Sequence, residues 1–191
     1  DAGAHTFNVR FKKPGYYWVS VRDEKNKLVS ESNPIEVLAE DPAYRLYWGD
    51  LHVHTEMSAD AINGVMAVSS YNGSYNIGRF RYGLDFMANA DHHGFAQGNY
   101  SYEDWENMVE ITNEANVPGK FVTLLASEVS HNRGDQNVYF RGGAMPFLST
   151  GPGHPVELWN LMREHESFTV PHHFAQSMRP WDWAQYDEEL M

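Results

Sequence analysis

Trp48-Gly49-Asp50-Leu51-His52-Val53-His54-Thr55 is the stretch from which the rest of the chain is read. Its two histidines stand one residue apart at the end of an apolar run. On a strand, side chains at i and i+2 point to the same face. His52 and His54 can therefore present two imidazoles to one ion, at about 2.0–2.1 Å for a borderline metal such as zinc. The ordinary alternative is that one ring is solvated and the other packs against an aromatic neighbour. The sequence downstream separates the two readings.

From Tyr44 onward the pattern is strand, loop, helix, repeated. Apolar strands are expected over residues 45–48, 84–90, 121–126, 137–141 and 168–171. Ser101 and Asp104 form a capping-box pattern, and Trp105, Met108, Val109 and Thr112 recur at helical spacing until Asn116-Val117-Pro118-Gly119. Pro155 opens a second helix with Leu158, Leu161, Met162 and His165 on one face. A weaker helix is expected over residues 76–82. Strands alternating with helices predict a parallel sheet or barrel with function at the strands' C-terminal ends.

The polar clusters fall at those ends. His52 and His54 follow the first strand, Asp91-His92-His93 the second, Glu128 the third and His172-His173 the fifth, while Asp135-Gln136 precedes the fourth. Each has a plain structural reading: Asp91 as a helix cap, Glu128 as the partner of an arginine, His172-His173 as a polar turn after Pro171. Their convergence on one rim is the argument for a site.

At 191 residues the chain can hold one good-sized domain and a smaller piece. A net charge of −12 disfavours nucleic acid and anionic membrane as partners. A small phosphorylated substrate stays compatible, because bound cations reverse the local field. With no cysteine, any metal must be held by histidines and carboxylates. No apolar run reaches transmembrane length, and no glycine-rich phosphate loop is present. The start at Asp1, without an initiator Met or a signal-peptide pattern, reads as a processed product or a piece of something longer. The matching expectation for location is periplasmic or secreted.

Residues 1–40 read as β structure, with strands over 6–11, 16–21 and 35–38 and a turn at Lys13-Pro14-Gly15. Three short strands bury too little to stand alone. This piece is read as the end of an immunoglobulin-like, sandwich-type β-domain, joined by residues 39–43 to a second domain over 41–191.

Gly-Asp-Leu-His-Val-His-Thr (49–55), Asn-Ala-Asp-His-His (89–93), Ala-Ser-Glu (126–128) and Val-Pro-His-His (170–173) together resemble the PHP superfamily, named for polymerase and histidinol phosphatase. The Tyr47–His52 opening resembles a subgroup of large bacterial PHP proteins with an N-terminal β-domain. The resemblance covers residues 44–181. It implies an α/β fold, a distorted (β/α)7 barrel, holding two or three divalent ions (zinc, manganese or iron) and hydrolysing phosphate mono- or diesters.

Carried over residue by residue, the resemblance makes His52, His54, Asp60 and His92 metal ligands and Glu128 the carboxylate that bridges two ions. One of His172 or His173 supplies a later ligand. Asp91 and His93 are the rim groups that would orient ligands or move protons beside Glu128. Arg133, Arg141 and Arg179 are candidates for the substrate anion, with salt bridges the favoured alternative.

Two departures stand out. Where relatives often carry a histidine, this chain has Gly134-Asp135-Gln136, so Asp135 or the nearby His131 would ligate instead. The late Asp-x-His motif has no counterpart before Met191, so the barrel is expected to be incomplete in this chain. A complementary chain or a further stretch of the same polypeptide would then complete it. The alternatives are hydrolysis of a non-phosphate bond, and a metal-stabilised binding or structural module without catalysis.

Overall fold

The computed structural model of the chain describes residues 5–63, 69–93, 101–141, 143–147, 153–173 and 180–191. Contacts divide it into two units, Asp1–Leu46 and Tyr47–Met191.

In the first unit, four short strands, β1 (Gly15–Tyr17), β2 (Ser20–Asp23), β3 (Leu28–Glu31) and β4 (Ile35–Val37), form two antiparallel pairs, β1 with β4 and β2 with β3. The Asp23 carboxylate turns the second pair by accepting from the Lys25 and Asn26 amides at 3.0 and 3.1 Å. Residues 6–11, expected as a strand, join neither sheet. β3 occupies a stretch where no strand was expected.

The second unit opens with β5 (Gly49–Val53), α1 (Ala59–Asn63), α2 (Tyr71–Asn76) and a π-helical turn (Ile77–Arg81). It continues with β6 (Phe86–Asn89), β7 (His92–His93), α3 (Tyr102–Ala115), β8 (Val122–Thr123) and β9 (Leu125–His131). β10 (Gly134–Phe140), α4 (Pro155–Met162) and β11 (Ser167–His172) follow. β6 pairs in parallel with β5 and β8, and β7 with β9.

From β9 onward the direction alternates, and β10 lies antiparallel between β9 and β11. The strand–helix alternation read from the sequence predicts parallel pairing there. The cause of the difference is a tight turn at Asn132-Arg133. Gly134, at φ +115°, closes it where a Cβ would sit 2.9 Å from the Pro180 carbonyl oxygen.

Both expected helix starts form. Ser101 Oγ accepts from the Asp104 amide at 3.0 Å, and the Ser101 amide donates to Asp104 Oδ2 at 3.1 Å. Pro155 stands in the first turn of α4, where its missing N–H is no loss. The third helix begins earlier than expected, at Tyr71, because Ser70 Oγ caps it by accepting from the Gly73 amide.

Two apolar clusters flank the sheets. One packs Val129, Val138 and Phe140 against Leu158, Met162 and Trp181. The other packs Phe121 and Met87 against Tyr71, Tyr75 and Met108. β5 and β11 share no ladder, yet they meet through side chains, with the His52 and His172 rings stacked 4.3 Å apart. The Tyr139 hydroxyl adds a hydrogen bond to the Leu51 carbonyl at 3.0 Å. Among the described residues, no helix is long and apolar enough to cross a membrane.

Phe121 is fully buried in the second cluster, so Phe121→Ala should lower the unfolding free energy by about 3–5 kcal/mol. Ser101→Ala, which removes only the cap, should cost about 1 kcal/mol. Urea denaturation followed by circular dichroism measures both; equal losses would refute this account of the core.

Candidate metal centre

Strand register decides which side chains converge. Glu128 lies opposite Asn137 on β10 and beside His92 on β7, and Asp135 lies opposite His172 on β11. Residues at i and i+2 share a face, so Glu128, Asp135, Asn137 and His172 project together. His131, three residues from Glu128, projects to the other face, where it stacks edge-on against Trp181 and accepts from the Arg133 amide.

Glu128 is the centre, with no exposed surface. Its two oxygens face different groups. Oε2 lies 2.9 Å from His54 Nε2, 3.2 Å from His52 Nε2 and 3.4 Å from His92 Nδ1. Oε1 lies 3.5 Å from Nε2 of both His172 and His173.

Adjacent residues of a regular strand point apart, and the sequence left open which of these two histidines belongs to the cluster. Both do. His173 follows the end of β11 with φ +57°, a left-handed conformation that is uncommon for a residue with a Cβ. That turn brings its ring back edge-on to His172, with centroids 3.8 Å apart.

Three ligand groups result: His52, Glu128 and His172; His54, His92 and Glu128; Glu128, Asp135 and His173. Within each, the ligand atoms all lie within 4.8 Å of one another. A tetrahedral ion with bonds of about 2.0–2.1 Å spaces neighbouring donors about 3.3–3.5 Å apart, which matches most of the contacts around Glu128. Among the described residues, Glu128 Oε1 and His92 Nδ1 are two of the several buried side-chain atoms without a hydrogen-bond partner. Buried polar atoms are rarely left so, and both border the space between the ligands. The donor set fits divalent cations.

Asp60 stands one step further out. Its carboxylate lies 3.1 Å from His54 Nδ1 and 3.4 Å from His92 Nε2, the ring nitrogens turned away from Glu128. This is the carboxylate–histidine arrangement that fixes a ring's tautomer, and Asp60 joins none of the three groups.

Asp91 is fully buried. It accepts from the Thr55 amide at 2.6 Å, the Thr55 hydroxyl at 2.8 Å and the Ser58 hydroxyl at 2.8 Å. Ser58 Oγ in turn accepts from the His92 amide at 2.9 Å. Asp91 thus ties the loop after His54 to the strand carrying His92. His93 is buried and joins none of the three groups. Arg133 pairs with Asp182 at 3.4 Å and Arg141 with Glu166 at 3.9 Å, in line with the salt-bridge alternative. Arg179 lies outside the described residues.

Sequence reading missed Thr55, Ser58 and Asn137. Asn137 Nδ2 lies 2.7 Å from His52 Nδ1, and its position two residues after Asp135 was the available signal.

The electrostatics follow from the crowding. Burial alone would raise the Glu128 carboxyl, but hydrogen bonds with His52 and His54 and the charge of His92 hold it well below the usual carboxylate range. Burial lowers His92 against the pull of Glu128. Burial also opposes protonation of His54, yet Glu128 and Asp60 outweigh it and raise that ring.

His172 is pushed down to about 4, by burial first, against the pull of Glu128. In chelator-treated protein it should stay neutral in the fold down to about 4, while the unfolded chain protonates it near 6.5. Unfolding then takes up a proton, so this ring's contribution to stability declines as pH falls through that window. Thermal midpoints of wild type and His172→Gln, compared from neutral pH down to about 4, should diverge, the wild type losing more. Parallel curves would remove His172 from the account.

A family model described as a protein of unknown function (DUF3604) matches residues 41–93 and 81–177. The chain therefore belongs to that family, and every candidate ligand from His52 to His173 lies inside the matched stretch. No curated protein matches the chain.

Proposed function

We propose that this member of the DUF3604 family is a metal-dependent hydrolase of PHP type, acting on phosphate mono- or diesters. The observation that carries the reading is Glu128, a buried carboxylate whose two oxygens face separate sets of imidazoles. A carboxylate so placed suits bridging two cations. The parallel β5–β6–β8 arrangement with histidines after β5 and β6 supports reading this unit as part of a PHP-type barrel.

Divalent ions held there would supply Lewis acidity and an activated water near neutral pH. The chain's own part is to hold geometry. His52, His54, His92, His172 and His173 act as neutral imidazole donors, and Glu128 and Asp135 as carboxylate donors. Asp60 keeps the outer nitrogens of His54 and His92 protonated, which leaves their inner nitrogens as acceptors facing Glu128. Asp91 acts through position alone, by holding Thr55 and Ser58. No step falls to His93, and with Arg133 and Arg141 each paired to a carboxylate, neither is assigned to the substrate.

A second reading, a metal-stabilised module without catalysis, draws support from ligands spread over β5, β7, β9, β10 and β11 and the residue after it. Chelation separates the two. Loss of turnover with the fold intact supports catalysis, and melting of the fold supports the structural role.

The first test is elemental mass spectrometry on desalted protein, with hydrolysis of chromogenic phosphate mono- and diesters. Two or more transition-metal ions per chain are expected, in line with a binuclear centre. Glu128→Gln should bring metal content below one ion per chain and turnover to background. A wild type that retains less than one ion per chain would overturn the proposal.

A further inference from the structure

Asn137 is unusual in being a buried amide held against a ligand ring and yet left half satisfied. Its Nδ2 lies 2.7 Å from His52 Nδ1, whereas its Oδ1 is buried without a hydrogen bond. Cross-strand pairing with Glu128 fixes it on the ligand face. The Tyr139 hydroxyl, which donates its proton to the Leu51 carbonyl, accepts from the same amide.

The two orientations place different protons on His52. With Nδ2 donating, Nδ1 is the acceptor and the ring's single proton sits on Nε2, directed at Glu128 Oε2 and His54 Nε2. That nitrogen then has no lone pair to offer. With the amide turned over, Oδ1 accepts from Nδ1–H, and Nε2 is left bare toward Glu128. One proton leaves Nε2 and one is gained at Nδ1, so the neutral ring keeps its charge.

We infer that Asn137 is a positioning residue that can hold either His52 tautomer, and that by turning its amide over it frees the Nε2 lone pair for a bound cation. The inference rests on the metal reading above for its purpose, but not for its test. An amide has both a donor and an acceptor, so it serves the empty and the loaded state; a carboxylate serves only the second, and an apolar residue neither.

The test uses the full chain with 15N-labelled histidine, the His52 signals being identified by their loss in His52→Gln. In chelator-treated protein, ring-nitrogen spectra should place the His52 proton on Nε2 in the wild type and in Asn137→Leu, and on Nδ1 in Asn137→Asp. Zinc affinity by chelator competition should fall about 10–100-fold in Asn137→Leu, as for loss of other groups that orient ligands, and be kept in Asn137→Asp. The same tautomer in Asn137→Asp and Asn137→Leu would overturn the inference, as would zinc bound equally well by wild type and Asn137→Leu. Should the wild type bind no zinc, the metal reading fails, and the tautomer comparison still decides the role of Asn137.

Discussion

A carboxylate removed entirely from water carries a penalty of several kcal/mol unless charge and hydrogen bonds answer it. Glu128 imposes that condition on the second unit. It sits in the middle of a strand buried along its whole length, so no side chain movement returns it to solvent. The answer comes from five imidazoles placed by β5, β7 and β11 and by the residue after β11. Burial opposes protonation of His92 and His172, so proton sharing alone satisfies the carboxylate incompletely. Oε1 shows the shortfall, since it has no hydrogen bond. Cations between these groups would satisfy the carboxylate and the imidazoles together.

Around that condition the rest of the unit acts as support. The register of β9 with β10 and of β10 with β11 aligns the candidate ligands, and Asp91 ties the loop after His54 to the strand carrying His92. Val129 and Val138 of one apolar cluster and Met87 of the other point away from the ligand face, which stays polar. On that face the neighbouring buried residues are mostly small, with Ala88, Ala90 and Ala126 beside Tyr139. Small side chains leave room for a ring cluster that larger ones would displace.

Much of this was legible in the sequence, for reasons that are local. The capping box at Ser101 and the proline at 155 act within one turn of helix, so their signal does not depend on the fold. The pair His52 and His54 is read from strand alternation alone. The antiparallel turn from β9 into β10 was harder. Both strands are buried throughout, so they carry no alternation of apolar and polar residues. The polar run Asp135-Gln136-Asn137 in β10 looks like loop until the cluster it faces is known. The hairpin cue Asn132-Arg133-Gly134 was present, but the strand–helix alternation of the surrounding sequence favoured parallel pairing. His173 was illegible for another reason: its place in the cluster depends on a left-handed backbone angle that its residue type disfavours.

The sharing of Glu128 by all three ligand groups has a thermodynamic consequence. Positions that draw on one carboxylate are not independent, because an ion at one withdraws electron density from the oxygen offered to the next. Occupancy at each position is then linked to occupancy at the others, with equal and reciprocal coupling energies. On the metal reading, such a centre would fill as an ordered series with graded affinities, and the last ion to enter would be the first to exchange. Metal supply in the surroundings would then set the state of the centre in steps, with partly filled forms as distinct species.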